Sequence, residues 1–184
     1  PSPSPRAGIV FFGVGSNGWL GDDDEADLVR LAARVARAMP QVPVVFRPHP
    51  RDPISEALLA PLRALPNVRF SGPDDALGEL LARARVGISI YSSTILECAA
   101  SGVVPVIFNP TTMPHYLPDV AAAGAGVEVK TAEAAFQAIQ DLLRSDAATD
   151  AFQPALAAFQ ARYFARRGPA ALCFLREELE RLMA

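Results

Sequence analysis

Lysine is nearly missing from this chain. Lys130 is the only one, and the remaining basic charge is arginine. With 17 basic against 20 acidic residues the net charge is −3, and no basic block stands out. That removes the electrostatic footprint that nucleic-acid binding requires. Val129, not glycine, precedes the lone lysine, which excludes a P-loop. Histidine and cysteine are also scarce, at two each, and too scattered for a zinc site, so no metal and no cofactor are expected. Cys98 and Cys173 fall in apolar helical patterns and read as buried free thiols of a reducing compartment. No apolar run approaches the ~18 residues of a membrane span. A soluble, cytoplasmic protein without a transmembrane segment is therefore expected, which leaves room for peripheral membrane association of the full protein. The opening "PSPSPRAG" has neither a methionine nor a signal-peptide pattern. Residues 1–8 read as a linker or boundary, with more chain expected before them.

What the chain does have is apolar content, 51% of 184 residues, enough for a full domain core. Short apolar runs alternate with amphipathic segments. The strand-like runs are "GIVFFGVG", "VPVVF", "NVRFSG", "VGISIY", "VVPVIF" and "AGVEVK". Between them lie helical stripes, such as Leu28, Leu31, Val35 and Met39, or Leu77, Leu80 and Leu81. "SEALLAPLRAL" reads as a helix broken or kinked at Pro61, and "STILECAAS" as a short helix closed by Gly102. The strands are near-continuous apolar runs, so both sheet faces are covered. Strict βα alternation then gives an α/β fold, a Rossmann-like doubly wound parallel sheet of about six strands over residues 9–148. Residues 149–184 read as two C-terminal helices. Their stripes, Phe152–Leu156–Phe159–Tyr163 and Leu172–Leu175–Leu179–Leu182, are expected to pack on the core or on a partner lobe.

Ligands of such sheets bind outside the carboxyl ends of the strands, where strand order reverses. The first strand ends in "GVGSNG". Gly13, Gly15 and Ser16 there would let backbone approach a phosphate or sugar closely, unless this is a plain flexible loop. The run matches G-x-G-x-x-G, but "WLGDDDE" separates it from the helix, and Arg47 and His49 stand where a ribose-binding acid would end the second strand. An NADP site remains an alternative, with the arginine suited to a 2′-phosphate. In "VVFRPHPRDP", Arg47 and His49 each precede a proline and are held extended. A histidine so presented can bond phosphate oxygens or pass a proton, or it can simply cap a loop. Ser92, Ser93 and Thr94 lie where the fourth strand turns into a helix, so one caps it and the others form an anion site. Glu97 suits a ribose diol equally as it suits a capping box with Thr94. After the fifth strand, Asn109, Thr111, Thr112 and His115 line a further substrate-facing loop, with His115 equally an ordinary surface histidine.

Together, Gly8 to Lys130 resemble the C-terminal, nucleotide-binding half of glycosyltransferases with the two-lobed GT-B fold. The likeness is strongest to bacterial sialyltransferase-like and capsule-polysaccharide transferases, including those using CMP-Kdo and the CDP-glycerol glycerophosphotransferases. Those families carry an HP motif and a later SS or SST motif, here His49-Pro50 and Ser92-Ser93-Thr94. The resemblance implies that His49 is catalytic, contacting the donor phosphate and helping the nucleotide leave. It implies that Ser92, Ser93 and Thr94 hold the same phosphate, and that Glu97, in "LECAASGVVPVI", holds the ribose. Many members with sugar-nucleoside-diphosphate donors carry an acid where this chain has Ser89. UDP-N-acetylglucosamine 2-epimerases look similar over Val68 to Ile107, but usually show serine-glycine-glycine at Ser92-Ser93-Thr94, and an arginine and an acid where this chain reads "NPTTMPHY".

The expected function is therefore the donor half of a transferase that uses a CMP-, CDP- or UDP-linked donor. It would act without metal in bacterial surface polysaccharide or glycolipid synthesis. Its partners would be the nucleotide-sugar donor and an N-terminal acceptor lobe absent from this chain, with no nucleic acid. Such a fragment binds nucleotide and turns over little. The alternatives are an epimerase-like enzyme domain and a non-catalytic nucleotide-binding or assembly module with the helical tail as its interface.

Overall fold

A computed structural model describes residues 6–15, 22–50, 54–90, 92–111, 117–164, 166 and 168–183. Six strands form one sheet: β1 (Gly8–Phe12), β2 (Val44–Arg47), β3 (Val68–Phe70), β4 (Ala84–Ser89), β5 (Val104–Phe108) and β6 (Val127–Val129). Every pairing is parallel, and the order is β3-β2-β1-β4-β5-β6. This is the Rossmann-like α/β arrangement expected from the βα alternation. Strand order reverses between β1 and β4, and there the crossovers diverge to opposite faces and leave a crevice at the carboxyl edge.

The alternation of each strand explains the two layers. Ile9 and Phe11 of β1 join Val44, Phe46, Val86 and Ile88 in a large core beneath α1 (Asp22–Ala38), α2 (Glu56–Arg63) and α5 (Ala132–Leu143). The stripe Leu28, Leu31, Val35 and Met39 of α1 is buried there. Val10 and Phe12, one residue out of phase, face the other way into a smaller cluster with Leu80 and Leu81 of α3 (Leu77–Arg83) and Cys98 of α4 (Thr94–Ala100). Each fully buried Phe or Leu in these layers contributes about 1.5–3 kcal/mol. Gly87 is a packing requirement in the second layer: a Cβ there would sit 2.4 Å from Cys98 Sγ, so α4 lies directly on β4.

Pro61 lies within α2, whose start is capped by Ser55 Oγ accepting from Leu58 N–H. Gly102, at φ +70, ends α4 in a Schellman arrangement. Its N–H donates to Ala99 O (3.1 Å), and Val103 N–H donates to Cys98 O (3.0 Å). Further bonds to the carbonyls at that end come from afar. Arg6 donates to Gly102 O and Ser101 O, both at 2.8 Å, and Gln160 donates to Ala99 O at 2.7 Å.

The C-terminal region differs from expectation in three ways. The helix expected to begin near Asp150 is α7 (Gln153–Tyr163), with Pro154 in its first turn, and a short additional helix, α6 (Asp146–Asp150), precedes it. Leu156 and Phe159 of α7 are buried, whereas Tyr163 is 41% exposed. Helix α8 (Pro169–Met183) buries nothing: Leu172, Leu175, Leu179 and Leu182 stand 69%, 55%, 49% and 75% exposed, so their stripe does not pack on this core. Cys173, on the same helix, is exposed rather than buried, while Cys98 is buried and its thiol pKa is pushed up by burial. Among the described residues, no helix is long and apolar enough to cross a membrane.

Candidate functional site

The crevice at the reversal point is built from the ends of β2, β1 and β4. β1 runs beside β2 to the pair Phe12↔Arg47, and the ladder closes with Gly13 N–H donating to Arg47 O at 2.9 Å. On its other side Phe12 pairs with Ser89, whose buried hydroxyl donates to Phe12 O at 3.1 Å. Ser89 thus stitches the two central strands together just below the edge and is spent on the sheet. Above it the chain must turn, and Gly15 does so at φ +69.

Gly13 is the most confined position of the edge. A Cβ there would lie 2.9 Å from Glu25 Oε1, 3.1 Å from His49 N and 3.3 Å from Pro48 Cα. Glycine is therefore needed for close approach: the β1 turn, the first turn of α1 and the Arg47–Pro50 segment meet at this point. Glu25 Oε1 itself is buried. Glu25 is the residue that sequence reasoning missed. Its signal was the acidic run "DDDE" directly after the glycine turn, which reads as bulk charge until the fold folds it back onto Gly13.

His49 is half-buried, two residues beyond the end of β2. Ser92 to Thr94 follow β4 on the opposite side of β1. The strands that deliver them are two spacings apart, about 9.5 Å, with the Gly13 turn between. A phosphate-sized group on Gly13 and Gly15 would have the histidine on one flank and the hydroxyls on the other.

The hydroxyl cluster is resolved residue by residue. Ser92 Oγ accepts from Thr94 N–H at 3.3 Å, and Ser92 O accepts from Ile95 N–H at 3.0 Å, so Ser92 caps α4. Ser93 is exposed. Thr94 Oγ1 is buried without a hydrogen-bond partner among the described residues. The alternative capping box does not form: Glu97 is exposed, and no bond from its carboxylate to Thr94 N–H is present. Its side chain is left to the solvent side of the edge.

Two expected ligand contacts are committed elsewhere. Arg47 donates to Ser71 Oγ (3.2 Å) and Asp75 O (2.8 Å), which ties β2 to the β3–α3 loop. Asp75 in turn accepts from Gly72 N–H and Arg69, and those bonds hold its carboxyl below the usual carboxylate range. Asn109 is 1% exposed; its Nδ2 donates to Glu128 Oε1 at 2.7 Å and its N–H to Val129 O, closing β5 against β6. Through these bonds Arg47 Nη1 and Asn109 Nδ2 brace the edge. Thr111 is exposed, and Ser16, Thr112 and His115 lie outside the described residues. No group of three or more His, Cys, Asp and Glu is arranged to hold a metal among the described residues.

No protein-family pattern and no curated protein sequence matches the chain. Solved structures do. The glycosyltransferase SnogD of Streptomyces nogalater aligns with a TM-score of 0.65 and 22% identity, over 97% of this chain and 45% of its own. The spinosyn rhamnosyltransferase SpnG gives 0.61 and 24%, over 96% and 46%. A UDP-GlcNAc 2-epimerase from Neisseria meningitidis, solved with UDP-GlcNAc bound, gives 0.63 and 13%, over 87% and 45%. The chain therefore spans just under half the length of each of these proteins. At such identities, what it shares with transferases and epimerases alike is the Rossmann-like fold.

Proposed function

We propose that this chain is the donor-binding, C-terminal half of a GT-B glycosyltransferase. It would take a CMP-, CDP- or UDP-linked donor for bacterial surface polysaccharide or glycolipid synthesis. The observation that carries the reading is the composition of the crevice where strand order reverses: a crowded glycine turn with His49 on one side and Ser92, Ser93 and Thr94 on the other. The likeness to halves of SnogD and SpnG supports it.

Glycosyl transfer builds negative charge on the departing phosphate. The Ser93 and Thr94 hydroxyls and the His49 imidazole would meet that charge as it develops. A preorganised donor of this kind is worth roughly 10²–10³ in rate. Glu97, exposed on the first turn of α4, would accept from the ribose hydroxyls. Attack on the sugar needs an acceptor and a base from the other lobe, so this chain alone binds nucleotide with little or no turnover.

The test is a melting experiment with CMP, CDP, UDP, UDP-sugars and NADPH at millimolar concentration. A ligand at a hundred times its Kd adds about 2.7 kcal/mol, which raises the Tm of a domain this size by roughly 5–10 °C. A cytidine or uridine nucleotide is expected to do so, and His49→Ala to reduce the shift. Failure of all of them sinks the donor-site reading and favours a non-catalytic module.

Epimerase chemistry is the second reading, favoured by the likeness to the Neisseria enzyme. Preference for a cytidine nucleotide counts against it; preference for UDP-GlcNAc, with conversion to the 2-epimer, establishes it. The NADP reading meets a physical obstacle. In dinucleotide folds the pyrophosphate sits on the helix that follows the glycine turn. Here Glu25 presses its carboxylate against that turn.

A further inference from the structure

We propose that Arg47 is a positioning residue of the candidate site: its guanidinium, anchored on the β3–α3 loop, holds the segment that carries His49 in one orientation. Its bearing on nucleotide binding rests on the proposed function; the positioning itself does not.

β2 lies between β1 and β3, and the segment that leaves it is held from both sides. On the β1 side the Arg47 carbonyl accepts the Gly13 N–H at 2.9 Å. Contact there is close, since a Gly13 Cβ would lie 3.3 Å from Pro48 Cα and 3.1 Å from His49 N. On the β3 side the Arg47 side chain reaches the loop before α3. Its Nη1 donates to Asp75 O at 2.8 Å and to Ser71 Oγ at 3.2 Å. That loop is itself closed. Asp75 N–H donates to Gly72 O at 3.3 Å, and the Asp75 carboxylate accepts from Gly72 N–H at 3.0 Å and from Arg69 at 2.9 Å. Arg47 is thus tied to a braced turn.

The backbone passes this constraint on. Pro48 fixes its own φ, and Arg47 and His49, each before a proline, are kept extended. Few torsions between the guanidinium and the imidazole are left free to turn. Arg47 is half-buried, and its acceptors, a hydroxyl and a backbone carbonyl, are neutral. A guanidinium placed there loses hydration without forming an ion pair, so an apolar chain of similar length would serve stability as well or better. What the arginine adds is a rigid fork of donors, which fixes geometry where apolar packing only fills space.

The test is amide nitrogen relaxation of the whole chain, read at the His49 N–H. It is the one backbone amide between Arg47 and Arg51, because Pro48 and Pro50 have none. Wild type is compared with Arg47→Met, which removes the donors and keeps the length, and with Arg47→Lys, which keeps a donor and the charge. Arg63→Met is the control, since it removes an arginine of α2 that pairs with Glu56. A rigid amide has an order parameter of about 0.85 and a flexible one less than about 0.6. Wild type and Arg63→Met are expected near the first value at His49, Arg47→Met near the second, and Arg47→Lys closer to wild type. Phe46 N–H, inside β2, should stay rigid in all four. Should Arg47→Met not fold, Ser71→Ala, which removes one acceptor, is expected to move His49 the same way by a smaller amount. Unchanged order at His49 in the variant used overturns the proposal, as does a loss of order that Phe46 shares or that Arg47→Lys does not reverse. Binding gives a second reading. If the segment holds its productive orientation a tenth of the time, affinity for CDP or UDP falls about tenfold, with no such fall in Arg63→Met. Order lost at His49 with affinity unchanged overturns the role in binding. If wild type binds no nucleotide at all, the proposed function fails, while the His49 order parameter still decides the role of Arg47.

Discussion

The helices that open at β1 and at β4 occupy equivalent places in the fold. Each follows a central strand, and each points its N-terminus at the same crevice. Their first turns are opposite in chemistry. α1 opens on Asp23, Asp24 and Glu25; α4 opens on Ser92, Ser93 and Thr94. The backbone offers two helix starts at one edge, and the side chains make one acidic and the other hydroxyl-bearing. One fold thus carries opposite chemistry at equivalent places, and a handful of residues sets which.

The comparison can be broken first at the foot of α4. Gly87→Ala places a methyl group 2.4 Å from Cys98 Sγ, so α4 must lift from β4. We expect a loss of about 1–3 kcal/mol, the usual range for overpacking, read as a lower denaturation midpoint. Adding Cys98→Ala should restore most of it. A double variant as unstable as the single one would show that Cys98 is not the obstacle.

The matching perturbation on the α1 side is Gly13→Ala. Here the nearest atom is the end of a flexible glutamate, 2.9 Å away, but the next two belong to the His49 and Pro48 backbone. The expected stability loss is about 1 kcal/mol, at the lower end for overpacking, with a larger relative loss of nucleotide binding because the HP segment must shift. Stability and binding falling in equal proportion would place Gly13 outside the site.

Ser92→Ala removes the cap of α4. Caps of this kind contribute about 1 kcal/mol, and Ser92→Asp should recover the stability while weakening nucleotide binding, since it puts a carboxylate among the hydroxyls. Recovery of both would contradict the contrast between the two helices.

The smallest effect is acid-dependent. The Asp75 carboxyl is held below its ordinary pKa, first by the Gly72 N–H and then by Arg69. Its contribution is therefore complete above the unfolded value near 3.8 and is lost as pH falls through the lower folded value. Wild type and Asp75→Asn should differ slightly at pH 6 and converge in strong acid, as followed by urea unfolding. A gap that widens on acidification would reverse the sign.

Much of this was legible in the sequence because period and composition report on burial. The six strands, the stripe of α1 and the cap at Gly102 are set by local chemistry that the chain carries with it. The site was legible only to the level of the strand end. Arg47, Asn109 and Glu25 show why. A polar residue at a carboxyl edge can aim at a ligand, at a neighbouring strand or at a loop that arrives much later in the chain. Arg47 finds Ser71 and Asp75, and Asn109 finds Glu128, partners that only the finished sheet brings near. Glu25 does the reverse, entering the edge from a run that reads as solvent-facing charge. For α8 the pattern was read correctly as amphipathic, yet amphipathicity names a face without naming what covers it.

The bonds that Arg6 and Gln160 make to Gly102 O, Ser101 O and Ala99 O set α4 like a post in a footing. The footing is at the helix end opposite Ser92, and it is assembled from two segments more than 150 residues apart in the chain.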